Sequence, residues 1–239
     1  MPDTRALAEP SGRRAAGPAG QPPLEDEFEF AEVTDTGIVF DGKVWDVRRD
    51  TFAYNGSGIV REYLEHPGAV AILALDDQDR VLLIKQYRHP VRVREWELPA
   101  GLLDEDGEHP LVGAQRELAE EADVIAAEWN VLTEFYTSPG GSNEVIRIYL
   151  ARGLSAIPDA FERTEEEADI EIRRVPLDYC VDAVLARRVQ NPSLVVGVLA
   201  AQAARSRGWS TLAPADSAWP RHPSNWDLPG AEQGPGPSA

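Results

Sequence analysis

The sequence predicts a mixed fold, of α/β or α+β type, in which a β-sheet is sandwiched between helices. Two observations carry this prediction. Short apolar segments separated by Gly and Asp-Gly turns recur along the chain and are typical of antiparallel strands. Segments of helical periodicity alternate with the later strands, as expected when helices cover a mixed sheet.

The N-terminal part of the chain predicts a small antiparallel sheet. Residues 27–63 contain the segments FEFAEV, GIVFDG, KVWDVRRDTFAY and IVREYL, which alternate apolar and polar residues between turn signals. Residues 68–75 and 80–87 are apolar runs on either side of the polar stretch 76–79. We therefore expect these two runs to form a hairpin of central strands.

The rest of the chain begins with another strand, EWELPA, which leads through an acidic loop into a helix predicted over 110–124. The remaining elements are predicted as strands over 128–138, 144–151 and 170–175, and as helices over 176–188 and 193–207. A strand that passes into a helix through a glycine-bearing loop is a common way to present side chains at a rigid site.

Composition divides the 239 residues into four parts. Residues 1–24 and 213–239 are rich in Ala, Gly and Pro, so we expect a disordered N-terminal tail and a flexible C-terminal tail. Residues 25–64 are expected to form an N-terminal β region that serves in dimerisation. Residues 65–212 are expected to form the main domain.

Charge and composition indicate which classes of binding partner and which cellular compartment to expect. A net charge of −18 opposes non-specific binding to nucleic acid or to an anionic membrane, because both are polyanions. The N-terminus lacks an apolar segment of signal-peptide length, and no run approaches the length of a membrane span, so we expect a cytoplasmic protein. Cys180 is the only cysteine, which excludes an internal disulfide and a cysteine-based zinc cluster.

The most informative stretch is RELAEE, residues 116–121, within the predicted helix. At helical spacing Glu117 and Glu121 lie four residues apart with Glu120 beside them, while Leu118 falls on the neighbouring, apolar face. Like charges at this spacing are unfavourable, and a bound divalent cation would compensate them. The alternative is an ordinary acidic surface helix.

The flanking residues resemble the Nudix box, whose pattern is G-x5-E-x7-R-E-U-x-E-E-x-G-U with U aliphatic. Seven residues separate Glu108 from Arg116, as in the pattern, and Val124 ends the match. This chain has two departures: six residues separate Gly101 from Glu108, and Asp123 occupies the position of the second glycine. Asp tolerates a left-handed backbone, so the helix can still end at position 123.

The resemblance implies a Nudix fold and a divalent metal, Mg²⁺ or possibly Mn²⁺. Its ligands would be the carboxylates of Glu117, Glu120 and Glu121 together with the backbone carbonyl of Ala100. Glu108 would support this set from outside it. Carboxylate and carbonyl oxygens are the ligands these hard cations prefer.

A second acidic run, Glu165 to Asp169, lies in a predicted loop. Composition alone favours solvated charge. The run is nevertheless similar to a loop of the ADP-ribose subgroup of Nudix enzymes, where a glutamate outside the box is the catalytic base. This resemblance makes Glu166 or Glu167 the candidate base, with no preference between them.

The segments KQYRHPV, WELPAG and SPGGSNE also look like the ADP-ribose subgroup. The resemblance implies that Arg88 contacts the phosphates and that Arg61 stacks on the adenine. The loop glycines would let the backbone approach the substrate, and Glu144 would hold a ribose or a water. The alternatives without a functional role are that both arginines are solvated residues at strand ends and that SPGGSNE is an ordinary turn. The implied substrate-binding residues are Arg61, Arg88, Gly140, Gly141 and Glu144.

The resemblance implies metal-dependent hydrolysis of the diphosphate of ADP-ribose to AMP and ribose 5-phosphate. It also implies a homodimer in which the N-terminal strands pack on the partner. The alternative substrates are other nucleotide sugars, such as GDP-mannose or ADP-glucose. A further alternative is a non-catalytic Nudix-like ligand sensor, although sensors usually have a degraded box and this chain keeps every carboxylate.

Overall fold

The computed structural model describes residues 23–105, 107–158 and 169–226. The strands in this part of the chain are β1 (Glu32–Phe40), β2 (Asp46–Tyr54), β3 (Ser57–Glu65), β4 (Ala69–Ala74), β5 (Arg80–Arg88), β6 (Val93–Glu97), β7 (Ala100–Leu102), β8 (Val124–Tyr136), β9 (Val145–Ala156), β10 (Glu171–Pro176) and β11 (Ala213–Pro214). The helices are α1 (Pro110–Ala122), α2 (Leu177–Leu185) and α3 (Pro192–Arg205). None of these helices is both long enough and apolar enough to cross a bilayer.

A five-stranded mixed sheet forms the centre, in the order β11-β8-β9-β4-β7. Strand β4 runs parallel to β9 and antiparallel to β7, and all its residues are buried. Because side chains alternate along a strand, Val70 and Ile72 pack with Leu118 of α1. Leu73 faces the other way and packs with Val198 of α3. This arrangement confirms the predicted sheet between helices.

The predicted hairpin of β4 and β5 is wrong. A single bridge joins Leu75 to Val81, and the amide of Asp76 donates to the carbonyl of Arg80 at 3.0 Å. Beyond this turn the two strands enter different sheets, because β5 pairs with β6 and β10 in a separate three-stranded sheet. Strand β4 takes β9 as its partner, a strand far along the chain.

The N-terminal strands β1, β2 and β3 form an antiparallel sheet, as predicted. The end of β3 is tied to the main domain, since the amide of Leu64 donates to the carbonyl of Gly141 at 3.0 Å. Much of the apolar surface of this sheet faces solvent within the single chain. The exposed apolar side chains include Val33, Ile38, Val39, Phe40, Tyr54 and Val60.

Residues 213–226, which we call the C-terminal strap, are packed against the domain and depart from the expected flexible tail. Strand β11 pairs with β8, and Trp219 and His222 are buried. The remaining tail residues, 227–239, and residues 1–22 lie outside the described part of the chain.

Arg147 of β9 anchors the strap. Its side chain is 1% exposed, and its guanidinium donates to Glu134 and to the carbonyls of Ser217 and Ala218 at 2.8 to 3.0 Å. The same guanidinium lies 4.6 Å from the ring centre of Trp219. A buried charge must be compensated in this way, so the strap is held where its carbonyls meet Arg147.

We expect Arg147→Met to lower the free energy of unfolding in urea by about 3 kcal/mol, because Glu134 and two strap carbonyls lose their partner in a buried setting. The control is Arg152→Met on the same strand. Arg152 is 33% exposed and pairs with Glu128, itself 63% exposed, so its loss is expected to cost less than about 1 kcal/mol. Equal losses in the two variants would contradict the anchoring role.

Candidate active site

Helix α1 has well-defined ends. Pro110 occupies its first turn, and His109 Nδ1 accepts the amide of Leu111 at 3.2 Å. At the other end Asp123 adopts the left-handed conformation, with φ 54° and ψ 37°, and its amide donates to the carbonyl of Ala119. The expected helix end at Asp123 is therefore confirmed.

The acidic face of α1 packs against the backbone of β7. The carboxylate of Glu121 is buried and accepts the amide of Ala100 at 2.8 Å. A Cβ atom added at Gly101 would lie 2.0 Å from the Glu117 carboxyl carbon, so any side chain at this position would displace the carboxylate. The glycine therefore allows the strand and the carboxylates to lie in direct contact.

Arg116 holds the other carboxylates together. Its guanidinium donates to Glu108 at 3.1 and 3.2 Å, to Glu117 at 2.7 Å and to Glu120 at 3.2 Å. The hydrogen bonds with Glu108 raise the pKa of Arg116 most, and the charge of Glu117 raises it further. The expected pair between Arg116 and Glu120 is present, and Glu108 joins the same network.

The donor set suits a hard divalent cation. Glu117, Glu120 and Glu121 supply carboxylate oxygens from one helical face, and Ala100 lies in hydrogen-bond contact with Glu121. In the conformation of the described residues, no three Asp, Glu, His or Cys side chains are already arranged around one metal position. Here Arg116 and the Ala100 amide engage these carboxylates.

Arg88 lies next to this face. It forms a bidentate pair with Glu97, with both distances at 2.8 Å, and this hydrogen bonding raises the Arg88 pKa most, with a smaller contribution from the charge of Glu121. Glu97 is only 3% exposed and also accepts from Gln86 at 3.4 Å. Sequence reasoning missed Glu97, although a glutamate inside the apolar segment EWELPA was a usable signal.

Burial raises the pKa of the nearby Glu95, and the charge of Glu97 raises it further. Glu95 and Glu97 are two residues apart on β6, so their side chains lie on the same side of the strand.

The loop between β8 and β9 carries the predicted substrate-binding residues Gly140, Gly141 and Glu144. The carboxylate of Glu144 accepts the hydroxyl of Thr137 at 2.5 Å and lies 3.3 Å from His66 Nε2. The carbonyl of Gly141 accepts from β3, as described above, so the loop is tied to the N-terminal sheet. Spacing alone held no signal for His66.

A cavity of about 480 Å³ opens beside this loop. Trp45, His66, Asn143 and Ser224 are among its lining residues, which therefore come from the N-terminal sheet, the β8–β9 loop and the strap. The rings of Trp45 and His66 stack with centres 4.4 Å apart. The cavity was not predicted, because its walls come from distant parts of the sequence.

One predicted site residue, Arg61, stands apart from these groups. Arg61 lies on the exposed strand β3, where its guanidinium donates to the carbonyl of Val60 at 2.8 Å, and it does not line the cavity. Glu166 and Glu167 lie outside the described residues. The structure thus brings together the α1 carboxylates with Arg88, and Glu144 with His66.

Comparisons with known proteins agree with this geometry. The chain is 40% identical to the ADP-ribose pyrophosphatase of Mycobacterium tuberculosis over 214 residues, which cover 87% of this chain and 99% of the relative. It is also 40% identical to the ADP-ribose pyrophosphatase of Bacillus subtilis, covering 63% of this chain and 81% of the relative.

A crystal structure of an ADP compounds hydrolase matches the fold with a TM-score of 0.61 at 20% identity, and covers 77% of this chain and 99% of the other. The NUDIX domain family model matches residues 65–191, which include α1, Arg88 and the β8–β9 loop. With the carboxylate helix, the sheet order and these matches in agreement, the chain belongs to the NUDIX domain family.

Proposed function

We propose that the protein hydrolyses ADP-ribose to AMP and ribose 5-phosphate with a divalent metal, Mg²⁺ or Mn²⁺. The observation that carries this proposal is the 40% identity to an ADP-ribose pyrophosphatase over 87% of the chain. The carboxylates of α1, which Arg116 holds in place, also support the proposal. Carboxylates and diphosphates both bind divalent cations, so a metal ion could bridge this face and the substrate.

In the proposed reaction a water oxygen bonds to one phosphorus, and the bond from that phosphorus to the bridging oxygen breaks. The bridging oxygen leaves with the other phosphate. The carboxylates of Glu117, Glu120 and Glu121 and the carbonyl of Ala100 would hold the metal, which would neutralise the diphosphate and polarise its oxygens. Arg116 keeps Glu117 and Glu120 in place through its hydrogen bonds.

Either Glu166 or Glu167 is proposed as the base that removes the proton from the attacking water. Both glutamates belong to a run that resembles the base-bearing loop of the ADP-ribose subgroup. The run ends at Asp169, just before β10, and the carboxylate of Asp169 pairs with Arg94 of β6. This contact attaches the end of the run to β6, which pairs with the strand of Arg88.

The proposed substrate contacts divide between two groups of residues. Arg88 would bind phosphate through Nη1, because Glu97 accepts from Nε and Nη2 and thereby fixes the orientation of the guanidinium. Gly140 and Gly141 would let the loop backbone approach the substrate, and Glu144 would bind a ribose hydroxyl. Arg61 would stack on the adenine.

We also propose a cytoplasmic homodimer in which the N-terminal sheet packs on the second copy. The exposed apolar side chains of that sheet support this part of the proposal, since such a surface is unusual for a chain that remains alone. Arg61 lies on the same sheet and could reach the partner's substrate across the dimer.

We expect the purified protein to release AMP from ADP-ribose when Mg²⁺ is present and to stop when a chelator is added. GDP-mannose and ADP-glucose, tested at equal concentration, are expected to react more slowly. Product analysis by anion-exchange chromatography measures the outcome. Absence of AMP, or faster turnover of either alternative nucleotide sugar, would reject the proposed substrate.

We expect Glu120→Gln to lower kcat by about a hundredfold or more, because the variant loses a charged ligand for the metal. Glu120 is the informative position, since its side chain is 40% exposed and we expect the helix to stay folded after the substitution. Glu128→Gln, also at an exposed glutamate, is the matched control. Wild-type turnover in Glu120→Gln would remove this carboxylate from the mechanism.

We expect one of the two variants Glu166→Gln and Glu167→Gln to lower kcat by about a hundredfold, while the other stays near wild type. Loss of the base should also remove the acidic limb of the pH–rate profile, because that limb reports its protonation. Steady-state kinetics between pH 5 and pH 9 tests both effects. If neither variant slows turnover, the run is solvated charge and the base lies elsewhere.

A further inference from the structure

The strap forms one wall of the cavity. Pro223 and Ser224 of the strap line it together with Trp45 and Asn143. These strap residues lie outside the part of the chain that the family model matches, residues 65–191. The strap is therefore a candidate for a role beyond packing.

His222 connects the strap to the segment that starts β4. Its Nε2 lies 2.8 Å from the carbonyl of Pro67, and its Nδ1 lies 2.7 Å from the hydroxyl and 3.3 Å from the amide of Ser224. A carbonyl can only accept, so Nε2 carries the proton and Nδ1 accepts from the strap. The ring fills the space beside Gly68, where a Cβ atom would lie 2.5 Å from Nε2.

The electrostatic setting preserves this tautomer. Burial lowers the pKa of His222, and the positive charge of Arg147 lowers it further, against the opposing effect of the bond with Pro67. The imidazole therefore stays neutral at neutral pH, which leaves Nδ1 able to accept while Nε2 donates.

The segment that His222 holds carries His66. The amide of His66 donates to the Asn143 side chain at 2.8 Å, and the amide of Gly68 donates to His66 Nδ1 at 3.0 Å. The same ring stacks on Trp45 and lies against Glu144. A shift of Pro67 would therefore move the imidazole of His66, and with it the contacts that this ring makes with Trp45 and Glu144.

The chemistry of the cavity indicates what it can take. The described residues of its lining include Asp46 and Glu65 and no lysine or arginine, and the carboxylate of Glu65 is paired with Arg48 at 2.9 Å. This lining supplies no cation for a phosphate, whereas an uncharged group with a flat face can pack against the ring of Trp45. In a nucleoside diphosphate sugar, these properties belong to the base and the sugar.

We propose that His222 is a positioning residue: through the carbonyl of Pro67 it holds His66, and with it Trp45 and Glu144, around a cavity that receives an uncharged base or sugar of the substrate. The strap thereby sets substrate affinity without contacting the diphosphate. The identity of the substrate rests on the proposed function, but the positioning role rests on the contacts of His222 alone.

The test compares His222→Phe with His222→Gln. Phe keeps the ring volume and removes the bond to Pro67, so KM for ADP-ribose should rise about tenfold while kcat stays within about twofold. The amides of His66 and Gly68 should also exchange hydrogen faster. Gln offers a donor near the position of Nε2 and should recover most of the affinity.

Asn225→Ala is the matched control, because Asn225 donates to the carbonyl of Trp219 within the strap and makes no bond to Pro67. This variant should leave KM near wild type. The proposal is overturned if His222→Phe keeps a wild-type KM, if it lowers kcat instead, or if Asn225→Ala raises KM equally.

The exchange measurement separates this proposal from the proposed function. If the wild-type protein does not hydrolyse ADP-ribose, the substrate assignment fails, but faster exchange at His66 and Gly68 in His222→Phe still supports the positioning role. Unchanged exchange in that variant rejects it, whatever the substrate.

Discussion

The chemistry of this protein depends on one electrostatic constraint, the compensation of crowded carboxylates on helix α1. Arg116 bonds to Glu108, Glu117 and Glu120, and the amide of Ala100 bonds to Glu121. Without these partners the carboxylates would repel one another, and a buried one such as Glu121 would be costly to ionise. Because Arg116 is itself a residue of α1, these hydrogen bonds hold the carboxylates in place before any ligand binds.

The carboxylate helix and the cavity are linked at the start of β4. The carbonyl of Gly68 accepts a hydrogen bond from the amide of Leu103, which directly follows β7, the strand that contacts α1. The amide of Gly68 donates to Nδ1 of His66, which lines the cavity. Gly68 has φ +88°, a conformation that favours glycine, and a side chain there would collide with His222. One short segment thus joins the carboxylate helix, the cavity and the strap, so the site depends on the register of β4 in the central sheet.

Features set by local sequence patterns could be predicted from the sequence, whereas contacts between residues far apart in the chain could not. The helix α1, its end at Asp123, the N-terminal sheet and the two-sided cover of helices follow from periodicity, turn residues and capping. The pairing of β4 with β9 does not, because a fully apolar strand fits any buried neighbour. The strap was misjudged for a similar reason: its composition suits a flexible tail, and its order comes from Arg147 on β9.

In the proposed function the carboxylate helix and the cavity bind different parts of one substrate, and the placement of charge is consistent with this division. Arg116 and Arg88 are each already bound to carboxylates, and none of the described residues that line the cavity is a lysine or arginine. In a chain with a net charge of −18, a diphosphate would therefore find little uncompensated positive charge among these groups. A divalent cation on the α1 carboxylates would supply what the protein lacks at the phosphates, and the uncharged ends of the substrate would be left to Trp45, His66 and the strap. Affinity for those ends then depends on shape and hydrogen bonding, which the salt concentration affects far less than it affects phosphate contacts.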